Sequence, residues 1–266
     1  MTIIEALILG IVQGLTEFLP ISSSGHIELG KFLLDIKVKD NLLFSVIVHF
    51  ATALSTIVVF RKDILDLIKG LLKFRYNEST EYVLKLLLSM IPVGLIGVFF
   101  EDQISEFFDG NILLVGAMLL VTGLLLTFTY YKKETDKPVS YPKALIIGIT
   151  QAIAILPGIS RSGSTIATAL LLNVDKAKAA RFSFLMVLLP IIGASLLKLK
   201  DYAEGTGVAS DISAAALVAG FLAAFIAGLV ACQWMIAIVK KGKLIYFAIY
   251  CFVIGFIAIL SMVFYG

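Results

Sequence analysis

The chain has 266 residues, 59% of them hydrophobic and 15% charged, with a mean hydropathy of +1.00 and a formal net charge of +3. A water-soluble domain carries about 45–50% apolar and about 25% charged residues, and at this length a soluble core cannot bury so much apolar surface under a polar coat. The composition therefore excludes a soluble enzyme, a disordered chain and a nucleic-acid-binding module, and is that of an integral membrane protein.

In chain order, Glu5 precedes the first apolar run and no basic stretch leads it, so the segment is expected to be retained rather than cleaved as a signal. Helices able to cross roughly 30 Å of hydrocarbon are expected near Leu42–Phe60, Tyr82–Phe100, Ile112–Tyr131, Phe182–Leu199, Ile212–Val239 and Leu244–Tyr265. Two further apolar segments, Ile3–Leu19 and Ala144–Leu156, are each followed by a Pro and a Ser/Gly-rich stretch. A second short apolar piece comes next, Ile27–Leu34 and Thr165–Leu172 respectively. Each piece is too short to span comfortably, so a re-entrant helix-loop-helix is expected, with its irregular backbone buried in protein or lining a cavity. The fold class expected is all-α: a polytopic membrane protein of six transmembrane helices plus two re-entrant motifs. Cys232 and Cys251 sit inside apolar stretches and read as packed or lipid-facing thiols, since two isolated cysteines make neither a disulfide framework nor a zinc site.

The basic residues assign the sides. If the short segments do not cross, the loops around 61–82, 132–143, 174–181 and 240–243 share one side and, with Lys85, hold 16 of the 22 Lys and Arg. The opposite loops carry Glu101, Asp102, Glu106, Asp109, Asp201, Glu204 and Asp211. The positive-inside rule makes the first set cytoplasmic and puts both termini outside. The expected location is a bacterial inner (plasma) membrane.

The chain also repeats itself. An offset of 148 − 10 = 138 residues lays Gly10–Gly25 (GIVQGLTEFLPISSSG) over Gly148–Gly163 (GITQAIAILPGISRSG) without a gap, with seven of sixteen positions identical. The same offset pairs Phe44-Ser45 with Phe182-Ser183. A single membrane domain over 1–266 is expected, with repeat halves at about 1–131 and 144–266. Three spans per half force opposite orientations, so the repeat is inverted-topology, an arrangement that places ligands near the midplane where broken helices meet.

Polar residues gather in the two turns. Glu17 follows Gln13 by four positions, on one helical face, and Pro20-Ile21-Ser22-Ser23-Ser24-Gly25-His26 comes directly after. The second half supplies Arg161 among Ser160, Ser162, Gly163, Ser164 and Thr165. Taken singly, a glutamate can snorkel, serines can cap a helix, and His26 or Arg161 can be structural. His49, on an otherwise apolar span, reads as a packed side chain and is left out of the site. Together, an Arg fork and helix N-termini suit an anionic phosphate. A carboxylate and a histidine make sense there if a proton moves or a divalent cation bridges carboxylate and phosphate. The residues alone lead to phosphoryl chemistry on a membrane-borne phosphate ester.

At these positions the sequence resembles the undecaprenyl-diphosphate phosphatase family, also called bacitracin-resistance proteins. The matching stretches are Gln13–Glu17, Pro20–His26 and Pro157–Gly163, in order and at the family's separation. The resemblance implies hydrolysis of the lipid diphosphate left after cell-wall polymer transfer, regenerating the monophosphate carrier. It also implies Glu17 as the essential acidic residue, Ser23 as nucleophile, His26 as acid/base and Arg161 as the diphosphate clamp. Gln13, Ser22, Ser24, Gly25, Ser160, Ser162, Gly163 and Thr165 are expected to line the substrate. Gln13 stands where the pattern also allows an acid, which leaves one carboxylate. A divalent cation, Mg²⁺ or Ca²⁺, is expected to screen the diphosphate, with Glu17 as its protein ligand. Other expected partners are the polyprenyl diphosphate, membrane lipid and, as one assembly, a homodimer. Direct attack by water activated at Glu17 stays open beside attack by Ser23. A lipid-phosphate transporter is the rival function, because inverted repeats often mean alternating access. An ion channel is disfavoured by a single Arg where a ring of like groups is needed.

Overall fold

The computed structural model describes residues 1–34, 42–100, 111–132, 135–204 and 212–265, and among them it is helical with no strand. The acidic loop residues Glu101, Asp102, Glu106, Asp109 and Asp211, together with Lys37, Lys39 and Lys133, lie outside the described residues. The helices are α1 (Ile3–Phe18), α2 (Ser23–Leu33), α3 (Leu42–Val59), α4 (Arg61–Leu71), α5 (Glu78–Phe99) and α6 (Ile112–Tyr130). After them come α7 (Tyr141–Ile153), α8 (Arg161–Leu171), α9 (Lys176–Met186), α10 (Leu188–Ala203), α11 (Ala214–Lys240) and α12 (Ile245–Tyr265).

Five stretches are long and apolar enough to cross a membrane: α5, α6, the α9–α10 run over Lys176–Leu197, α11 and α12. A sixth is counted if α3 and α4, bent by 74° at their junction, are taken as one. These coincide with the six spans expected from hydropathy, so the chain is a polytopic all-α membrane protein. Two details differ. The stretch expected as loop from 61 begins with α4, in which Ile64, Leu65, Leu67, Ile68 and Leu71 recur at helical spacing among Lys62, Asp63, Asp66 and Lys69. The ion pair from Arg181 Nε to Asp63 Oδ1, 2.7 Å, fastens it to α9. The span expected at Phe182–Leu199 starts earlier, at Lys176, where Asp175 Oδ1 accepts from Lys178 N at 2.9 Å as an N-cap. It breaks at Val187, because Pro190 has no N–H to give Met186 O and its ring crowds that carbonyl.

Packing follows the 138-residue offset. α2 and α8 are both eleven residues long and begin at Ser23 and Arg161, 161 − 23 = 138 apart. α1 packs on α11 and α7 packs on α5, pairs that the offset exchanges, while α6 lies against α12 and α3 against α11 and α10. The α1–α11 crossing is close because of glycine: a Cβ on Gly10 would stand 2.4 Å from Gly220 O. Small residues of this kind let membrane helices approach backbone to backbone. Cys232 and Cys251 are both fully buried free thiols.

Candidate active site

α1 opens with a capping box, Thr2 and Glu5 each accepting the other's backbone N–H. It stops at Leu19, whose extended conformation is what the following Pro20 requires. The chain turns through Ser22, at φ 70°, whose hydroxyl accepts from Gly25 N at 3.2 Å and so caps α2. The second turn is built alike. Gly158 holds φ +94°, where a Cβ would also strike Val115 O at 2.5 Å, and Ser160 Oγ accepts from Gly163 N at 3.0 Å to cap α8. Thr122 of α6 secures this turn, donating to Gly158 O at 3.2 Å and accepting from Ser160 N at 3.0 Å.

The two turns meet. Ser162 Oγ donates to Leu19 O at 3.2 Å, and a Cβ on Gly25 would stand 3.1 Å from Gly158 Cα. Glu17 is the centre of the contact and is only 6% exposed. Its Oε1 accepts from Arg161 Nη2, 144 positions away in sequence. Its Oε2 accepts from Ser23 Oγ at 2.6 Å and from Gln13 Nε2 at 3.0 Å. Arg161 Nη1, by contrast, is buried and has no partner among the described residues. Glu17 and Arg161 line a narrow cleft with Phe18, Thr52, Thr56, Phe184 and Leu188. An ion pair in such an apolar wall is expensive to desolvate unless every donor finds an acceptor, which leaves the bare Nη1 as the group that most wants an anion.

The remaining predicted residues are placed as follows. Ser22 and Ser160 act as N-caps, and Ser24 Oγ lies 3.4 Å from Ser22 Oγ. Thr165 bonds the Arg161 carbonyl at 2.9 Å and the Ser183 hydroxyl. His26 hydrogen-bonds Ser22 O and the Tyr250 hydroxyl rather than Ser23 or Glu17. His49, set aside on sequence grounds, is at the site: its Nδ1 donates to Ser45 O at 2.8 Å and its Nε2 lies 3.7 Å from Glu17 Oε2. An ionisable side chain on a membrane helix is the signal that points to it.

Glu17 is the one carboxylate of this cluster among the described residues. No group of three His, Cys, Asp or Glu able to hold a metal ion occurs among them. Gln13 Oε1, however, is buried without a partner among the described residues, on the side chain whose Nε2 donates to Glu17. Two oxygen donors fit a cation that takes its other ligands from phosphate and water, as Mg²⁺ does, and do not fit an all-protein cage.

The sequence matches the family described as bacitracin resistance protein BacA over residues 6–257. The chain belongs to that family. Among its relatives, the undecaprenyl-diphosphatase of Christiangramia forsetii is 57% identical over 262 residues, covering 98% of both chains. The undecaprenyl-diphosphatase of Parabacteroides distasonis is 56% identical over 256 residues, 96% of each. The enzyme of the same name from Halothermothrix orenii is 42% identical over 264 residues, 98% of each. In this BacA-family chain, the three stretches that carry the resemblance are the end of α1 with Gln13 and Glu17 and the two turns.

Proposed function

We infer that this chain is a membrane hydrolase that removes the terminal phosphate of undecaprenyl diphosphate and leaves undecaprenyl phosphate. The observation that carries the reading is the chain of contacts from Ser23 Oγ to Glu17 to Arg161, with Arg161 Nη1 unpartnered. A hydroxyl donating to a carboxylate at 2.6 Å is a nucleophile beside its base. Arg161 Nη1 and the first N–H groups of α2 and α8 hold the diphosphate oxygens and stabilise the charge that shifts to the leaving phosphate oxygen. Ser23 Oγ attacks the terminal phosphorus and passes its proton to Glu17 Oε2, and the bond to the bridging oxygen breaks. Undecaprenyl phosphate leaves and Glu17 gives its proton up to solvent. Water then attacks the phosphoserine, passing a proton to the ionised Glu17, which delivers it to the Ser23 oxygen as the phosphorus–oxygen bond breaks, so that the Ser23 hydroxyl and the Glu17 carboxylate are both restored. Glu17 and the amide oxygen of Gln13 would hold a Mg²⁺ or Ca²⁺ ion, which supplies screening between the carboxylate and the diphosphate.

The same reading takes the two turns as re-entrant tips of an inverted repeat, with halves at about 1–131 and 144–266. It places the protein in a bacterial inner membrane with both termini outside, on the strength of the Lys and Arg distribution. Transport of a lipid phosphate is not favoured, because a hydroxyl held on a carboxylate serves bond cleavage and not translocation. The test is phosphate release from undecaprenyl diphosphate by purified protein in detergent micelles, where no second compartment exists. Release that disappears in Glu17→Gln supports hydrolysis; no release from the folded parent protein refutes it.

A further inference from the structure

We propose that Tyr250 is a positioning residue for the reaction: through His26 it locks the turn that presents Ser23, so that His26 is a link in that lock and not the base for Ser23. The proposal rests on the hydrolase reading above.

His26 lies in the first turn of α2, and its Nδ1 is 2.7 Å from Ser22 O. A carbonyl oxygen only accepts, so Nδ1 carries the hydrogen. In the neutral ring Nε2 is then the lone-pair nitrogen. It is held by the Tyr250 hydroxyl, which donates across 2.9 Å from α12, 224 positions away. The two rings are stacked, with centroids 5.6 Å apart and planes 15° from parallel. Both ring nitrogens are therefore engaged, and neither contact reaches Ser23. The proton of Ser23 already points to Glu17.

What the pair holds is an unusual piece of backbone. Ser22 sits at φ 70°, ψ 99°, a conformation non-glycine residues adopt only where surroundings enforce it. Its carbonyl takes two donors from one residue, His26 N at 3.1 Å and His26 Nδ1 at 2.7 Å. That carbonyl belongs to the peptide joining Ser22 to Ser23, so its orientation sets where Ser23 Oγ points. The neighbouring residue on α12 touches the start of the same turn: Cys251 Sγ lies 3.6 Å from Pro20 O. Two consecutive residues of the last helix thus fix the two ends of the nucleophile turn. Displacement of a reacting group by a fraction of an ångström suffices to slow a reaction many-fold.

Three variants and one spectrum test this. Tyr250→Phe keeps the stacked ring and loses only the hydroxyl. His26→Asn keeps a donor at the Nδ1 position for Ser22 O and loses the reach to Tyr250. Each single variant should lower kcat about tenfold with little change in KM, and the double variant should be no slower than either, as expected of two groups acting through one contact. The imidazole ¹⁵N spectrum of His26 in the parent should report a single Nδ1–H tautomer and, in Tyr250→Phe, a shifted Nε2 signal as that nitrogen loses the hydrogen bond it accepts. Thermal unfolding in detergent checks that both variants remain folded. An unchanged kcat in Tyr250→Phe with an unmoved His26 spectrum overturns the proposal. So does a His26→Asn loss of about 10²–10⁴, far beyond that of Tyr250→Phe, which is the mark of an acid/base group. The spectrum needs no turnover, so a parent protein that releases no phosphate sinks the hydrolase reading while the Nε2 signal of the ring still decides the contact.

Discussion

Replacing Arg161 by Lys separates the two tasks assigned to the guanidinium. In the resting site Nη2 donates to Glu17 Oε1, while Nη1 is buried without a partner among the described residues, and Arg161 lines the cleft where the diphosphate would lie. A guanidinium serves both at once because its donors form a rigid planar fork; an ammonium on a shorter arm is a point charge that serves one. Lys keeps a positive charge beside Glu17, so the penalty of an unpaired buried carboxylate, about 3–5 kcal/mol when a partner is removed outright, is avoided. The cap of α8 comes from Ser160 to Gly163 N and does not involve the Arg161 side chain. Folding should therefore survive. Losing one preorganised contact to the charge that develops in the transition state costs about 2.7–4 kcal/mol, which is about 10²–10³ in rate. The assay is phosphate release from undecaprenyl diphosphate in micelles, with thermal unfolding of the same preparation as the folding control. A folded Lys variant within about threefold of the parent, a barrier change below ~1 kcal/mol, refutes the clamp.

Ser23→Ala should reduce turnover by about 10³ or more, because Glu17 then has no nucleophile to activate; a mild loss in the same phosphate-release assay would make Ser23 a ligand only. Glu17→Gln should cost about 10²–10⁴ through loss of the base, and Glu17→Asp, which keeps the charge but shortens the reach to Ser23, should recover part of it. Gly158→Ala should lower stability by about 1–3 kcal/mol, since its φ is +94° and a Cβ would stand 2.5 Å from Val115 O; a detergent melt as high as the parent's would contradict the packing of α6 on this turn. With the buried Cys232 and Cys251 replaced, a single cysteine at Glu106 should react with an impermeant reagent in intact cells and one at Lys241 should not; the reverse pattern would invert the topology.

The spans were legible because hydropathy over about 20 residues is the whole of their physics, and the helix positions follow it. α4 was not, since its apolar side chains are interleaved with Arg61, Lys62, Asp63, Asp66 and Lys69, which average to a charged loop until read at helical spacing. The starts of α2 and α8 fall on Ser23 and Arg161, earlier than the apolar pieces suggested, because Ser22 and Ser160 cap them. The meeting of Glu17 with Arg161 could be anticipated from the offset that sets Ser23 opposite Arg161. Thr122, Tyr250 and His49 could not be assigned that way. Thr122 and Tyr250 lie on helices that read as plain apolar spans, and their hydroxyls acquire meaning only from the turn each one touches. His49 carried a signal, an imidazole in a membrane helix, but its partner Glu17 lies on another helix.

The central claim is that Ser23, deprotonated by Glu17, forms a covalent phosphoenzyme before water enters. The stereochemical course at the transferred phosphorus tests it most directly. A substrate analogue whose terminal thiophosphoryl group is made chiral with two oxygen isotopes is hydrolysed in water carrying the third, and the configuration of the released thiophosphate is determined. Two successive in-line displacements predict net retention. Net inversion would show a single displacement by water and contradict the account.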